Sequence, residues 1–243
     1  MTDNEMIMPA IDVVFFDVLG TVVDWRGSIT GEVANFLRRH EAHHIDAGAF
    51  ADAWVGRYDA AAGAVRDDGR PYVTLDVLNR ETLDVSLSEV GIAPSGLPAR
   101  ELDELTRAWH RLKPWPDAVA GIAALKKRFI VAPLSDGHTR MLVDMAKFAG
   151  LPWDVVLGAD LFQAYKPMPQ VYSSACGFLD VAPERAMLVA AHGYDLAGAR
   201  ACGLKTAFIQ RSNASDPSKA CENQSRHDWD FSADDLCDLA RRL

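Results

Sequence analysis

The chain is built of short apolar runs separated by helical periods. Residues 11–16 form an almost continuous apolar run ending at Asp17 and Gly20, and the Val and Phe content suits a strand buried on both faces. Similar runs recur at 129–134, 155–157, 186–191 and 206–209. Three of the five end in small polar clusters, at 17–21, 135–137 and 192–195. Helical spacing occupies 118–127, 139–148 and 171–179. Strand, polar turn, helix, repeated, predicts a doubly wound, Rossmann-like α/β domain with a parallel sheet, whose ligand site lies at the carboxyl ends of the strands.

The stretch 24–115 has a different period. Val33, Phe36 and Leu37 fall at i, i+3, i+4, and Phe50, Trp54, Tyr58 and Val65 share one helix face. Leu75, Leu78 and Leu83, then Leu102, Leu105 and Trp109, continue the pattern with no convincing strand. The expectation is an all-helical cap at 24–115 inserted into an α/β core formed by 9–23 and 116–243. Pro114 and Pro116 would stop the last cap helix and stiffen the return. Residues 211–225, rich in Ser, Asn, Asp and Pro, read as a surface loop before a last strand near 229–231 and a helix from Ala233.

Composition narrows the partners. The 243 residues are enough for one or two domains. With 25 Lys+Arg against 34 Asp+Glu, the net charge of −9 leaves no cationic excess for nucleic acid or a membrane surface, though a local cationic pocket can still hold a small anion. No apolar run reaches the roughly 18–20 residues of a membrane span. Residues 1–10 carry Asp3 and Glu5 and do not read as a secretory signal, so the expected location is the cytoplasm. Cys176, Cys202, Cys221 and Cys237 include no C-x-x-C pair and read as reduced, small apolar residues.

Four polar segments at or just after predicted strand ends carry the candidate chemistry: Asp17-Val18-Leu19-Gly20-Thr21, Ser135-Asp136-Gly137, Lys166-Pro167, and His192-Gly193-Tyr194-Asp195. A carboxylate leaving a buried strand is costly unless paired or used. Taken singly, Asp17 could cap a helix, Thr21 and Ser135 are ordinary turn residues, and Asp136 could cap the helix starting at His138. As an ordered set they resemble the haloacid dehalogenase superfamily of aspartate-nucleophile hydrolases over nearly the whole chain. The superfamily's phosphatases carry a second Asp two residues after the nucleophile. Here that position is Leu19, which transfers no proton. Together with Asp24, Lys166-Pro167 followed by Tyr172, and Tyr194-Asp195 before Gly198-Ala199-Arg200, this resembles the (S)-2-haloacid dehalogenase branch.

The resemblance implies a two-step displacement on a small 2-substituted carboxylate. Asp17 attacks C2, and water then hydrolyses the aspartyl ester to a 2-hydroxy acid of inverted configuration. It implies that Lys166 keeps Asp17 ionised, that Thr21 and Ser135 fix the line of attack, and that Asp195 holds Lys166 and positions the water. Val18, Leu19, Trp25, Asp136 and His192 are assigned to substrate binding. No metal or other cofactor is implied, and a homodimer through the cap rests on the resemblance alone. Tyr58, Tyr72, Leu75 and Trp115 could line a small apolar pocket beside Trp25, but at helical spacing such residues are more often core.

The chain also departs from the branch. Aligning the aromatic residue of the first cap helix with Trp54 puts Val55 where an Arg is usual, and Arg57 lies about 200° around the helix. The usual Asn residues of the second and fourth motifs are Asp136 and His192. One cation fewer and one potential anion more would tolerate a protonated amine as leaving group, so ring opening of azetidine-2-carboxylate is the alternative. Further off are a metal-dependent phosphatase, disfavoured by Leu19, and an inactive binding module.

Overall fold

Val13–Phe16 (β1) alternates its side chains between two hydrophobic layers: Val14 and Phe16 join one buried cluster, Val13 and Phe15 the other. A strand buried on both faces belongs inside a parallel sheet, and that is where the computed structural model, which describes residues 10–211 and 229–243, places it. Next come Val23–Asp24 (β2) and the helices Trp25–Arg39 (α1), Ala47–Gly56 (α2), Tyr58–Arg66 (α3), Leu75–Glu89 (α4) and Ala99–Thr106 (α5). The 3-10 turn Arg107–His110 then leads to Lys113–Pro114 (β3). Ala118–Leu125 (α6), Ile130–Ser135 (β4), Thr139–Ala149 (α7), Leu157–Gly158 (β5), Ala159–Phe162 (α8) and Pro169–Phe178 (α9) follow. The described chain closes with Ala186–Ala190 (β6), Gly193–Ala201 (α10), Lys205–Ile209 (β7), Phe231–Ala233 (β8) and Leu236–Arg242 (α11).

The sheet order is β5-β4-β1-β6-β7-β8, every pair parallel. The doubly wound α/β expectation therefore holds, with a helical cap between β2 and β3. After β1 the chain builds outward through β4 and β5, then returns to β1's other side as β6. That reversal opens a crevice at the carboxyl end of β1. No described helix is long and apolar enough to cross a membrane.

Three details differ from the sequence expectation. The face shared by Phe50, Trp54, Tyr58 and Val65 is divided between α2 and α3, with Gly56, a poor helix former, at the break and Arg57 capping both. The stretch read as strand-free contributes Asp24 of β2 and all of β3, which form a two-residue antiparallel ribbon, Val23 opposite Pro114 and Asp24 opposite Lys113. Two residues are too few to carry a period, and the ribbon clamps both crossings between core and cap. The last strand and helix also start later than read, at Phe231 and Leu236. Cys221 and nearly all of the expected 211–225 loop lie outside the described residues, as do the first nine; the cysteines described, Cys176, Cys202 and Cys237, are free thiols.

The cap is a real core element. Phe36, Trp54, Leu78, Leu83 and Leu87 are buried, and truncating such a residue to Ala costs roughly 2–5 kcal/mol.

Candidate active site

Asp17 leaves β1 at the crevice, its N–H held by the Val189 carbonyl of β6 at 2.9 Å. Gly20 then takes φ +88°, a left-handed turn that folds Thr21 back; a Cβ there would meet the His192 ring at 3.1 Å. The Thr21 hydroxyl donates to Asp17 Oδ2 at 2.6 Å while accepting the Ala191 N–H at 2.8 Å. That second bond occupies a lone pair and leaves the hydroxyl proton for the carboxylate. His192 Nδ1 also lies 2.9 Å from Asp17 Oδ2.

Lys166, after α8, reaches from the opposite side: Nζ donates to Asp17 Oδ1 at 2.8 Å and to Asp195 Oδ2. Asp195, in the first turn of α10, also accepts the Tyr172 hydroxyl at 2.7 Å. Gly198 makes that approach possible, since a Cβ there would stand 2.8 Å from the Tyr172 hydroxyl oxygen. All of these ionised groups are buried.

Burial alone would raise the pKa of Asp17, but the Lys166 and His192 charges and hydrogen bonds outweigh it and hold the carboxyl well below the ordinary range. Burial would likewise deprotonate Lys166, but Asp17, Asp195 and Asp136 around it push its pKa up instead. Burial with the nearby Asp17 charge pushes Asp195 up to about 6 despite its bond to Lys166. Asp17 is thus a carboxylate at neutral pH. Its Oδ2 is saturated by two donors, whereas Oδ1 has one, so Oδ1 keeps the freer lone pair.

A cavity of ≈ 640 Å³, its open mouth included, lies over Asp17. Leu19, Ser135, Asp136, His192 and Tyr194 line it from the core; Trp25, Val55, Tyr58, Leu75, Asn79 and Trp109 line it from the cap. Of the residues singled out in the sequence, Asp17, Leu19, Trp25, Ser135, Asp136 and His192 line this space. Thr21, Lys166 and Asp195 stand behind Asp17. Val18 does not line the cavity; its side chain packs into the core, and its carbonyl accepts the N–H groups of Val22 and Val23 to close the turn.

Asp136 neither caps a helix nor stands as a free anion. Its Oδ1 accepts the Lys166 backbone N–H at 2.8 Å and its Oδ2 accepts the Tyr58 hydroxyl across the cap interface. Asp160 caps the following helix by accepting the Thr139 N–H. Tyr58 and Leu75, read as packing, line the cavity; Tyr72 and Trp115 do not. Asn79 is not singled out by the sequence, Trp109 only as part of a helical pattern, and Tyr194 only as part of the fourth motif. Asn79 follows Leu75 by one helical turn on the same face of α4, and Tyr194 lies inside the fourth motif. Arg57 faces away, bonded to Ser86 Oγ at 3.2 Å and to Glu89.

The donor set does not suit a magnesium ion. The two carboxylates that would coordinate it are already bridged by the Lys166 ammonium, and the Leu19 side chain offers no further oxygen.

Residues 11–203 match the family described as haloacid dehalogenase-like hydrolase. The chain is 33% identical over 212 residues to (S)-2-haloacid dehalogenase 1 of Pseudomonas sp. (strain CBS-3), covering 85% of this chain and 87% of that protein. Among solved structures it resembles the defluorinating L-2-haloacid dehalogenase Rha0230, at 47% identity and TM-score 0.89 over 96% of this chain and 95% of the other. It also resembles the Xanthobacter autotrophicus L-2-haloacid dehalogenase with chloropropionic acid covalently bound, at 25% identity and TM-score 0.78 over 95% and 97%. With a parallel sheet, a helical cap and a family match across most of its length, the chain belongs to the haloacid dehalogenase-like hydrolases.

Proposed function

We propose that the chain is an (S)-2-haloacid dehalogenase, hydrolysing small 2-halocarboxylates to 2-hydroxy acids without a metal. The observation that carries this is the buried Asp17–Lys166–Asp195 array: an ionised carboxylate, freer at Oδ1, opens onto a cavity whose roof is mostly apolar.

In the first step Asp17 Oδ1 forms a bond to C2 as the carbon–halogen bond breaks and the halide leaves with its electron pair, inverting C2. Thr21 and His192 hold Oδ2, so the carboxylate cannot rotate away from the line of attack. Ser135 Oγ accepts the Gly137 N–H at 3.2 Å, which leaves its proton for the substrate carboxylate. In the second step water adds to the Asp17 carbonyl carbon, a proton passes to the Asp195 side, and the Asp17–C2 ester opens. Halocarboxylate and water become 2-hydroxycarboxylate, halide and a proton.

The similar proteins carry dehalogenase names, one of them called defluorinating, and this supports our reading that the leaving groups for this chain include fluoride. The azetidine alternative is not favoured: the similar proteins are named haloacid dehalogenases, and the Asp136 carboxylate that argued for an amine is already engaged by Tyr58 and the Lys166 backbone. We place the cap at 24–115, the core at 9–23 and 116–243, the protein in the cytoplasm, and a homodimer through the cap. Light scattering of the purified chain tests the dimer.

Single-turnover reaction in ¹⁸O-water tests the mechanism. Label should enter Asp17 first, because the product's new oxygen comes from Oδ1. Label in the product of the first turnover would refute the aspartyl ester.

A further inference from the structure

An anion leaving C2 in line with Asp17 departs on the side away from the nucleophile, toward the cap. Among the described residues no Lys or Arg lines the cavity. The nearby arginines are engaged elsewhere: Arg57 with Ser86 and Glu89, Arg66 with the carbonyls of Lys166 and Asp59, and Arg26 with Asp52. A halide expelled here meets no guanidinium.

Two residues on the cap side of the cavity, however, carry N–H groups with nothing to bind. Asn79 and Trp109 both line the cavity from the cap and are 6% and 5% exposed. Asn79 Nδ2 and Trp109 Nε1 are buried and have no hydrogen-bond partner. Folded proteins seldom bury a donor without using it. Trp54 behaves otherwise: its Nε1 donates to the Asn79 carbonyl at 3.0 Å, which pins that turn of α4. Trp109 is held in turn by stacking on Trp25 and by an edge contact with Trp54, at centroid separations of 6.4 and 5.6 Å. Two positioned, neutral N–H donors on the cap side of the cavity, beside Leu75, Val55 and Trp25, suit a small monoatomic anion that accepts hydrogen bonds.

We propose that Asn79 and Trp109 form a cation-free halide site that stabilises the departing halide by hydrogen bonding alone. The inference rests on the dehalogenase reading. Because the donors are neutral, the stabilisation follows the acceptor strength of the halide: largest for fluoride, smaller for chloride, smallest for bromide.

The test is the single-turnover rate of halide release from 2-fluoro-, 2-chloro- and 2-bromopropionate by the wild type, Asn79→Ala and Trp109→Phe. Release from the fluoro substrate should fall about ten- to a hundredfold in each variant. The bromo substrate should change less than about threefold, and hydrolysis of the ester should be unaffected. An equal fall for all three halides, or no fall, overturns the site. A second measurement does not depend on replacing the tryptophan: bromide should quench wild-type fluorescence saturably, and more weakly in Asn79→Ala. Unsaturable quenching, identical in both proteins, also overturns it. If the wild type releases no halide from any substrate, the dehalogenase reading itself fails. If it does so and the variants keep its leaving-group profile, only the halide site fails.

Discussion

Lys166 Nζ lies 2.8 Å from Asp17 Oδ1, and the lysine stands behind the carboxylate, not in the cavity. The positive charge therefore acts on the nucleophile from the protein side and leaves the substrate side of Asp17 open. In this position the single ammonium is shared by Asp17 and Asp195, and Asp195 is the one that burial leaves more basic.

Asp17→Asn keeps the volume and removes the nucleophile. Halide release should drop by at least about 10⁴-fold, with the thermal transition nearly retained because Lys166 still has Asp195. Intact-mass analysis should detect no ester in the variant, and any wild-type-like turnover would refute Asp17 as nucleophile.

Lys166→Met leaves Asp17 and Asp195 buried without their cation. Breaking a buried pair costs about 3–5 kcal/mol of stability, read by urea unfolding. The sign for activity follows from the depressed Asp17 pKa. Wild-type kcat/KM should stay flat on the acid side as far as Asp17 is concerned, and in the variant an acid limb should appear at higher pH.

Tyr172→Phe removes the hydroxyl that donates to Asp195 Oδ1. Asp195, pushed up to about 6, must be ionised to accept a proton, so wild-type ester hydrolysis should fall as pH drops through that value. Losing a donor to the charged form raises the pKa further. The acid limb of the hydrolysis step, followed by rapid-quench mass spectrometry, should move to higher pH in Tyr172→Phe while ester formation changes little.

His110 joins cap to core: its ring nitrogens lie 3.0 Å from Asp76 of α4 and 3.0 Å from Asp144 of α7. Burial disfavours the imidazolium, but the Asp76 and Asp144 carboxylates outweigh it and raise the His110 pKa, and burial together with the charge on His110 lowers that of the neighbouring His138. A raised folded pKa gives stability that is full below the unfolded value and lost as pH rises through the folded one. The melting temperature gap between wild type and His110→Gln should therefore be widest near pH 5.5 and narrow toward pH 9. A gap that widens with pH would contradict the clamp.

The sequence by itself determined the architecture and the chemical inventory. Apolar runs such as 11–16 and the 3.6-residue period of 24–115 are local signals, because burial on two faces or one is written into neighbouring residues. Asp17, Ser135, Lys166 and Asp195 were legible as an ordered set resembling a family, although Lys166 follows α8 and not a strand. Only the tertiary structure decided how these groups share their charges and what covers them. Residues as distant in sequence as Tyr58 and Asp136 meet because cap closes on core, and no local pattern encodes that pairing. The same holds for Leu75 and Trp109, whose helical spacing looks like packing until the cap is folded over Asp17, and for Asn79, which no local pattern marks. Val18 shows the converse: adjacent to the nucleophile in sequence, it points into the core, because successive residues leaving a strand face opposite ways.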